Sequence, residues 1–182
     1  MFKANINVNI HAETSLDYRA IHHINQQVFA TSAEADLIAA LRGTEYFIPE
    51  LSLVAAANGD PVGHILFTLA TLVTDHPAGE NHPIQVAALG PMAVLPDYQR
   101  NGIGSALVRR GLQVCEEIGF GAVVVLGHTW FYPQFGFVPA KTFNLRCQWE
   151  DGSEHFMALE LVPGTLRGFN GMVHYPPFFD AL

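Results

Sequence analysis

One stretch of this chain, residues 87–137, constrains the fold more than any other. An apolar segment leads into a turn that carries Gly102 and Gly104, and apolar residues at helical spacing follow the turn. These residues are Ile103, Leu107, Leu112, Cys115 and Ile118. Gly119 stands where a helix C-cap would sit, and residues 122–126 are typical of a buried strand. The stretch therefore predicts strand, turn, helix and strand, and the unpaired N–H groups at such a helix start suit a phosphate.

The composition limits the class of protein. The chain has 182 residues, of which 49% are hydrophobic, so it can bury the core of one domain. Its net charge is −8 and its nine Lys and Arg are scattered, which predicts no nucleic-acid partner and no binding to an anionic membrane. No apolar run approaches the roughly 20 residues of a membrane span, and the first ten residues do not resemble a signal peptide. We therefore expect a cytoplasmic protein, with Cys115 and Cys147 as two reduced, buried thiols.

The first third of the chain predicts a strand, two helices and a hairpin. Residues 6–10 alternate polar and apolar side chains, as a half-buried strand does. Thr14 or Ser15 is expected to cap the first helix, and residues 31–34 fit a capping box for a second helix that Gly43 ends. The apolar face of the first helix is expected to be Leu16, Ala20, Ile24 and Val28. The hairpin is expected to pair residues 51–57 with residues 62–73 through the turn Asn58-Gly59-Asp60.

The C-terminal third predicts short elements. Residues 130–135 have room for one or two helical turns, and residues 145–150 and 156–161 are interpreted as a hairpin around Asp151-Gly152-Ser153. From Pro163 the chain is rich in Gly, Pro and aromatic residues and is interpreted as loop-like. We expect one domain over residues 1–162 and an extension, residues 163–182, packed on it. The fold class is α/β (α+β), with a largely antiparallel sheet and one parallel pairing at the crossover helix.

The glycine turn gains meaning from the strand before it. No Gly-Lys-Ser/Thr follows the glycines, which makes the turn a poor match to a P-loop, and the third glycine of a dinucleotide fingerprint is missing. Gly90-Pro91 interrupts the preceding apolar strand, where proline removes a ladder donor and glycine favours a bulge. A strand broken there would separate from its parallel neighbour and leave a slot with unpaired backbone groups. A phosphate at the helix start and an amide-bearing arm along the strand describe coenzyme A.

These residues resemble the GNAT superfamily of N-acetyltransferases. Gln99-x-x-Gly102-x-Gly104 matches the pyrophosphate-loop motif of that family, and residues 89–99 look like its bulged fourth strand. Tyr132-x-x-x-Gly136-Phe137 is similar to the tyrosine element after its fifth strand. Residues 51–55, 63–67 and 135–140 look like the YhbS-like branch of predicted acetyltransferases. The resemblance covers almost the whole chain and implies a twisted, mixed sheet with a splayed, bulged central strand and flanking helices.

The resemblance also implies a donor and a site. The donor is acetyl-CoA, a cosubstrate, and no metal is expected. Backbone groups of Met92 and Val94 would bind the pantetheine arm, and an N–H near Met92 or Ala93 would polarise the thioester carbonyl. Tyr132 would protonate the departing thiolate. The pyrophosphate would lie on the turn Gln99, Arg100, Asn101, Gly102, Ile103, Gly104 and Ser105.

Each of these residues also has a purely structural interpretation. The two glycines can serve packing, Arg100 can be a solvated arginine, and Tyr132 can be a core aromatic residue. The general base is open. His128 follows the predicted strand 122–126, and an imidazole is a suitable base, although related members of the YhbS-like branch carry an acidic residue there.

The other candidates for the base are weaker. They are Glu50, which can simply bound a strand, and His64, which can be a core histidine, each acting through a water molecule; the bulged strand offers no carboxylate and has Gln85 as its polar candidate. His76 and His82 lie in a polar loop without a recognised ligand spacing, so a solvated loop is favoured over a metal site.

The sequence thus predicts an N-acetyltransferase that transfers an acetyl group to a small-molecule or peptide amine by direct attack in a ternary complex. The main alternative is a catalytically silent acyl-CoA sensor, and the last is a structural protein. For the aromatic residues 169–179 the open interpretations are core packing, a cover over the acceptor and a contact in a homodimer.

Overall fold

The computed structural model describes residues 7–75, 82–149 and 153–182. Within these ranges it contains a nine-stranded sheet and three α-helices. The strands are β1 (Val8–Ala12), β2 (Phe47–Ala57), β3 (Asp60–Thr74), β4 (Ile84–Val94), β5 (Ala122–Leu126), β6 (Val138–Pro139), β7 (Leu145–Cys147), β8 (Phe156–Glu160) and β9 (Gly171–His174). The helices are α1 (Tyr18–Val28), α2 (Ala33–Leu41) and α3 (Ile103–Glu117). Short 3-10 helices cover Pro96–Tyr98, Tyr132–Phe135, Ala140–Phe143 and Pro177–Ala181.

The sheet is largely antiparallel, as predicted. Its main order is β1-β2-β3-β4-β5-β8-β6, and β9 joins the free end of β3 and carries β7. Two pairs among the described strands are parallel, β4–β5 and β7–β9. The first is the expected crossover through α3, while the second was not predicted. None of the helices in the described ranges is long and apolar enough to span a bilayer.

Helices cover the two faces of the sheet and bury separate cores. Helices α1 and α2 pack on one face, where Ile21, Ile38 and Leu66 are fully buried. Helix α3 packs on the other face, where Phe67 and Leu107 are fully buried. Successive residues of β3 therefore serve opposite cores, as the two-residue period of a strand requires.

Two predicted glycine turns are confirmed. The turn between β2 and β3 has Asn58 at φ 53° and Gly59 at φ 98°, both in the left-handed region that a tight hairpin requires. Helix α3 ends at Glu117, and Gly119 follows its C-cap with φ 96°. The Phe120 N–H donates to the Cys115 carbonyl at 2.9 Å, which closes the helix as a Schellman motif does.

The predicted start of the first helix is wrong. Helix α1 begins at Tyr18, and Leu16 lies before it with 91% of its surface exposed. The residues that α1 buries are Ile21, Ile24 and Asn25, so the apolar face is shifted from the predicted one. The Thr14 hydroxyl donates to the Asp17 carboxylate at 2.8 Å instead of capping the helix. The Thr14–Asp17 turn delays the helix by about one turn.

The predicted capping box does not form either. The Ser32 hydroxyl donates to Asp36 at 2.7 Å, and the Thr31 hydroxyl accepts from the Ala33 N–H at 3.2 Å. The second of these contacts satisfies one backbone N–H at the helix start, and Glu34 takes part in neither.

The buried face of α3 also differs from the prediction. Val108, Gly111 and Val114 are buried, whereas Ile118 is 45% exposed and Leu112 is half-buried. A Cβ at Gly111 would overlap the ring of Phe67, so this glycine lets the helix lie close to the sheet. Val108 and Val114 are buried together with Gly111 on the face of α3 that lies against the sheet.

The C-terminal prediction needs two corrections. Strands β7 and β8 do not form a hairpin, because β7 pairs with β9 while β8 lies between β5 and β6. The segment from Pro163 is not all loop, since β9 lies within it and pairs with Thr71–Thr74 of β3. This part of β3 extends past β2, and its open edge accepts another strand.

Some predictions fall on residues outside the described ranges. They concern Ile6, His76 and the turn residues Asp151 and Gly152. The division of the chain at residues 162 and 163 stays a proposal.

Candidate functional site

Strands β4 and β5 separate at the predicted bulge. Their parallel pairing runs from Ala87 with Val123 to Leu89 with Val125 and extends no further. The next residue, Gly90, has φ 146°, and its peptide bond to Pro91 is cis. On the other edge of β4 the pairing with β3 shifts, so that Gly90 and Pro91 together face one residue of β3. The bulge and the separation are therefore confirmed, and one edge of β4 is left without its neighbour.

A cleft of about 960 Å³ opens where the two strands separate. At one end, called here the turn end, its wall is made by β4 and by the turn that leads into α3. The opposite end is called here the aromatic end, and four separate parts of the chain form its wall. Its residues are Val28, Phe29, Glu34, Trp149, Tyr175, Phe179 and Leu182. The rest of the wall consists of Leu126, Gly127, His128, Trp130, Phe131 and Tyr132.

Backbone geometry shapes the turn end. Arg100 and Gly102 adopt φ 60° and 81°, which turns the chain sharply into α3. The Gln99 side-chain amide donates to the Val94 carbonyl at 2.9 Å and ties the turn to the end of β4. The first N–H groups of α3 have no acceptor in their own helix and carry the positive end of its dipole. A Cβ on Gly104 would lie 3.8 Å from Met92 and Phe131, so this glycine faces the cleft. The turn end thus suits an anion.

Most of the predicted binding residues lie on this wall. They are Met92, Val94, Gln99, Arg100, Gly102, Ile103, Gly104 and Ser105. Ala93 and Asn101 do not line it. Ala93 is buried opposite His64 of β3, and alternation along β4 turns its side chain away from Met92 and Val94. The Asn101 amide donates to the carbonyls of Tyr98 and Gln99 at 3.2 and 3.1 Å, so its side chain holds the turn together.

Tyr132 lines the cleft and is buried. Burial raises the pKa of its hydroxyl to about 12, so the phenol is protonated at neutral pH. Its ring makes edge contacts with Phe131 and Phe137. A Cβ on Gly127 would overlap the ring, so Gly127 provides the space in which the tyrosine sits. Tyr132 is therefore a rigidly held proton-bearing group.

His128 also lines the cleft but is more loosely held. It is exposed and stacks on Trp130 with ring centroids 5.6 Å apart. Its carbonyl accepts from the Phe131 N–H at 3.0 Å, which starts the turn that places Tyr132.

The other predicted bases do not reach the cleft. Glu50 and Gln85 are exposed, and neither is a lining residue. His64 is fully buried beside Ser52, whose hydroxyl lies 2.9 Å from its Nε2. Burial, with a smaller contribution from Arg42, lowers the pKa of His64 to about 3. His64 is therefore a neutral core histidine, and its proposed role as a water-mediated base is wrong.

A polar network surrounds His64 on the face of the sheet that α1 and α2 cover. Ser52 donates to Glu13 at 2.6 Å, and Arg42 donates to both oxygens of the same carboxylate at 2.7 and 3.1 Å. The ion pair is nearly buried, so it joins the segment before α1 to the end of α2. This network has a structural role.

Sequence reasoning missed the residues of the aromatic end. Glu34 was assigned to a capping box, and Trp149 was interpreted as part of a hairpin strand. Tyr175 and Phe179 belong to the aromatic C-terminal stretch, for which a cover over the acceptor was one open interpretation. The position of Tyr175 and Phe179 on the cleft wall depends on strand β9, which no local sequence pattern indicated.

Other groups that were considered for chemistry lie elsewhere. Cys115 and Cys147 are buried, as predicted, and neither is a lining residue. Burial raises the pKa of the Cys115 thiol to about 12, which keeps it protonated. In the described part of the chain, no three His, Cys, Asp or Glu side chains are grouped as a metal site would need.

Comparison with known proteins agrees with this geometry. Residues 18–137 match the Acetyltransferase (GNAT) family. The chain is 40% identical over 129 residues to the uncharacterized N-acetyltransferase YjhQ of Escherichia coli K12, covering 71% of this chain and 68% of YjhQ. It is 30% identical over 172 residues to the uncharacterized N-acetyltransferase YhbS of the same strain, covering 94% of this chain and 98% of YhbS.

Two solved structures are similar over nearly the whole chain. The crystal structure of E. coli YhbS in complex with CoA matches with a TM-score of 0.86 at 30% identity and covers 99% of this chain and 96% of that one. A GNAT family acetyltransferase from Brucella melitensis in complex with acetyl-CoA matches with a TM-score of 0.73 at 28% identity. This match covers 97% of this chain and 100% of that one. The resemblance inferred from the sequence, including its YhbS-like branch, is confirmed. The chain belongs to the GNAT family of acetyltransferases.

Proposed function

We propose that this protein is an acyl-CoA-dependent N-acyltransferase that moves an acetyl group from acetyl-CoA to a primary amine. One observation carries the proposal: the cleft opened by the separation of β4 and β5 ends at the first turn of α3. A relative of similar fold, E. coli YhbS, has been solved with CoA. The amine acceptor is a small molecule or a peptide.

The donor would bind along the turn end. Its pyrophosphate would accept hydrogen bonds from backbone N–H groups of the turn 99–105, with Arg100 as the nearby cation. Its pantetheine amides would pair with the edge of β4 that β5 leaves, near Met92 and Val94. Because these contacts are made by backbone, they depend on the turn geometry more than on side-chain identity.

The reaction would be a direct attack within a ternary complex. The neutral amine nitrogen forms a bond to the thioester carbonyl carbon, the C–S bond breaks, and one proton leaves nitrogen while one reaches sulfur. The products are an amide and CoA with a free thiol. A buried, protonated Cys115 outside the cleft does not suit a covalent acyl-enzyme route.

Tyr132 would act on the leaving sulfur. A phenol with a pKa of about 12 is a weaker acid than a thiol with a pKa of about 8.5, so its main contribution is a hydrogen bond to the developing thiolate. The proton that finally resides on sulfur then comes from the acylated nitrogen. In this scheme His128, which is exposed at the side of the cleft, can take that proton from nitrogen and pass it on to sulfur.

The deciding experiment is calorimetric titration of the protein with acetyl-CoA and with CoA, followed by thiol-release assays with amines. Gly104→Glu places a carboxylate in the turn end, and we expect it to weaken binding of both ligands by about 100-fold or more through charge repulsion and bulk. Its control is Gln85→Glu, which adds the same charge at the exposed far end of β4 and should bind as the wild type does.

Three outcomes separate the alternatives. Binding and thiol release with an amine support the transferase. Binding without thiol release for any amine class supports the silent sensor instead. Absence of binding to the wild-type protein contradicts both.

A further inference from the structure

The aromatic end of the cleft holds polar atoms that the fold leaves without partners. The Oε2 atom of Glu34 is buried from solvent and has no hydrogen-bond partner in the described part of the chain. The hydroxyl oxygen of Tyr175 is likewise buried and has no hydrogen-bond partner in the described residues. Both residues line the cleft. A buried polar atom without a partner is costly, and two of them on one wall indicate a ligand that supplies the missing hydrogen bonds.

The charge at this end of the cleft defines the ligand. Among the described lining residues Glu34 is the single carboxylate side chain, and Arg100, the single Lys or Arg, belongs to the turn end. Burial raises the pKa of Tyr175 well above its usual range, so its hydroxyl stays neutral. A carboxylate side chain beside a neutral hydroxyl suits a ligand that carries an ammonium group.

Aromatic rings complete the wall. The Trp149 ring lies 5.0 Å from that of Tyr175 and 6.3 Å from that of Phe179, and the rings of Tyr175 and Phe179 are 5.5 Å apart. Helix α2, which carries Glu34, packs on the 3-10 helix that carries Phe179. Rings of this kind bind the carbon body of a ligand and attract a cation over their faces.

We propose that the aromatic end is the acceptor site and that it selects an apolar monoamine, a single ammonium on an alkyl or arylalkyl body. Glu34 holds the ammonium, the Tyr175 hydroxyl accepts a second hydrogen bond from it, and the Trp149–Tyr175–Phe179 cluster covers the carbon body. Glu34 then takes the proton that the ammonium must lose before its nitrogen can attack. A polyamine has further charges for which this wall offers no second carboxylate side chain among the described residues. This assignment rests on the proposed transferase function.

The test measures amine binding without turnover, in protein saturated with CoA, which lacks an acyl group to transfer. Titration with 2-phenylethylamine should give a measurable dissociation constant, and titration with spermidine a weaker one. Glu34→Gln keeps the shape of the side chain and removes its charge, so we expect 2-phenylethylamine to bind about tenfold more weakly or worse, with CoA affinity unchanged. The matched control is Glu45→Gln, an exposed carboxylate soon after α2, which should leave amine binding unchanged.

Tyr175→Phe is a second variant, because it removes only the hydroxyl. We expect it to weaken amine binding by about threefold to tenfold while leaving the melting temperature equal or higher, since the orphaned hydroxyl is no longer buried. A purely structural role for this hydroxyl would lower the melting temperature and leave amine binding alone.

Three results would overturn the assignment. They are no binding of 2-phenylethylamine to the CoA-saturated protein, unchanged binding by Glu34→Gln, and tighter binding of spermidine than of 2-phenylethylamine. Failure of the transferase function looks different, since the amine would still bind through Glu34 while acetyl-CoA released no thiol.

Discussion

The two ends of the cleft are built in opposite ways. The turn end comes from one continuous stretch, residues 89–105, and its recognition groups are backbone N–H groups and glycines. The aromatic end comes from α1, α2, the segment after β7 and the C-terminal segment, and its recognition groups are side chains. A site built from backbone tolerates side-chain changes as long as the turn is kept. In a site built from side chains, each substitution alters a contact with the ligand. This end is therefore where specificity for the acceptor can vary.

The layers beneath the two ends differ as well. The turn end rests on the α3 side of the sheet, whose buried cluster is apolar in the described residues. The aromatic end rests on the α1–α2 side, which also holds the His64 network with Glu13 and Arg42. Three predictions test whether the two ends behave as independent parts.

The largest expected effect is at Tyr132, which lines the cleft. Tyr132→Phe should lower kcat by about 100-fold, because the hydrogen bond to the leaving sulfur is lost, and leave the Kd of acetyl-CoA unchanged. Tyr98→Phe, a second tyrosine on the cleft wall, is the control and should keep its kcat. Steady-state kinetics and calorimetry measure both quantities. A normal kcat in Tyr132→Phe would contradict a role in the reaction and show that Tyr132 serves only in packing.

The second effect is acid destabilisation of the α1–α2 side. His64 has a pKa of about 3 in the folded protein and about 6.5 when unfolded, so below pH 6.5 the unfolded chain binds a proton that the folded chain does not. The free energy of unfolding should therefore fall as the pH drops from 6.5 toward 3, by about 2 kcal/mol at pH 5 from this residue.

Denaturant titrations at pH 7 and pH 5 measure that loss. His64→Gln should reduce the difference between the two pH values, whereas His174→Gln, at an exposed position of β9, should keep it. Hydrogen exchange at pH 5 should increase first in α1 and α2. Equal acid sensitivity of α3 would contradict the separation of the two sides.

The smallest expected effect comes from comparing two glycines of the same backbone conformation, Gly102 in the turn end and Gly43 outside the cleft lining. Gly102 and Gly43 have nearly the same φ, 81° and 80°, and both have open space where the methyl group of an alanine would lie. Replacing either by Ala should cost about 1 kcal/mol of stability, because a side chain disfavours the left-handed region. Gly102→Ala alone should also weaken acetyl-CoA binding, by about fivefold. If both variants bind as the wild type does, the turn does not contact the ligand.

Residues that interact with sequence neighbours were predictable. The glycine turn, the Gly90-Pro91 bulge and the Schellman end at Gly119 each depend on a few consecutive residues whose conformational limits are visible in the sequence. The capping predictions failed for a related reason, because Thr14 and Ser32 had two local partners each and the sequence does not rank them. The face of α3 failed because it depends on Phe67, which lies 44 positions before Gly111 in the chain.

By itself, the sequence determined the strand–turn–helix–strand unit, the separation of β4 from β5 and the family, because local backbone preferences and a contiguous motif carry all three. Only the tertiary structure decided what faces that unit across the cleft. Strand β9 adds to the open edge of β3, and that pairing brings Tyr175 and Phe179 to the cleft wall that Glu34 also lines. Strand pairing across about a hundred residues depends on edges left free by other strands, so no stretch of sequence encodes it alone.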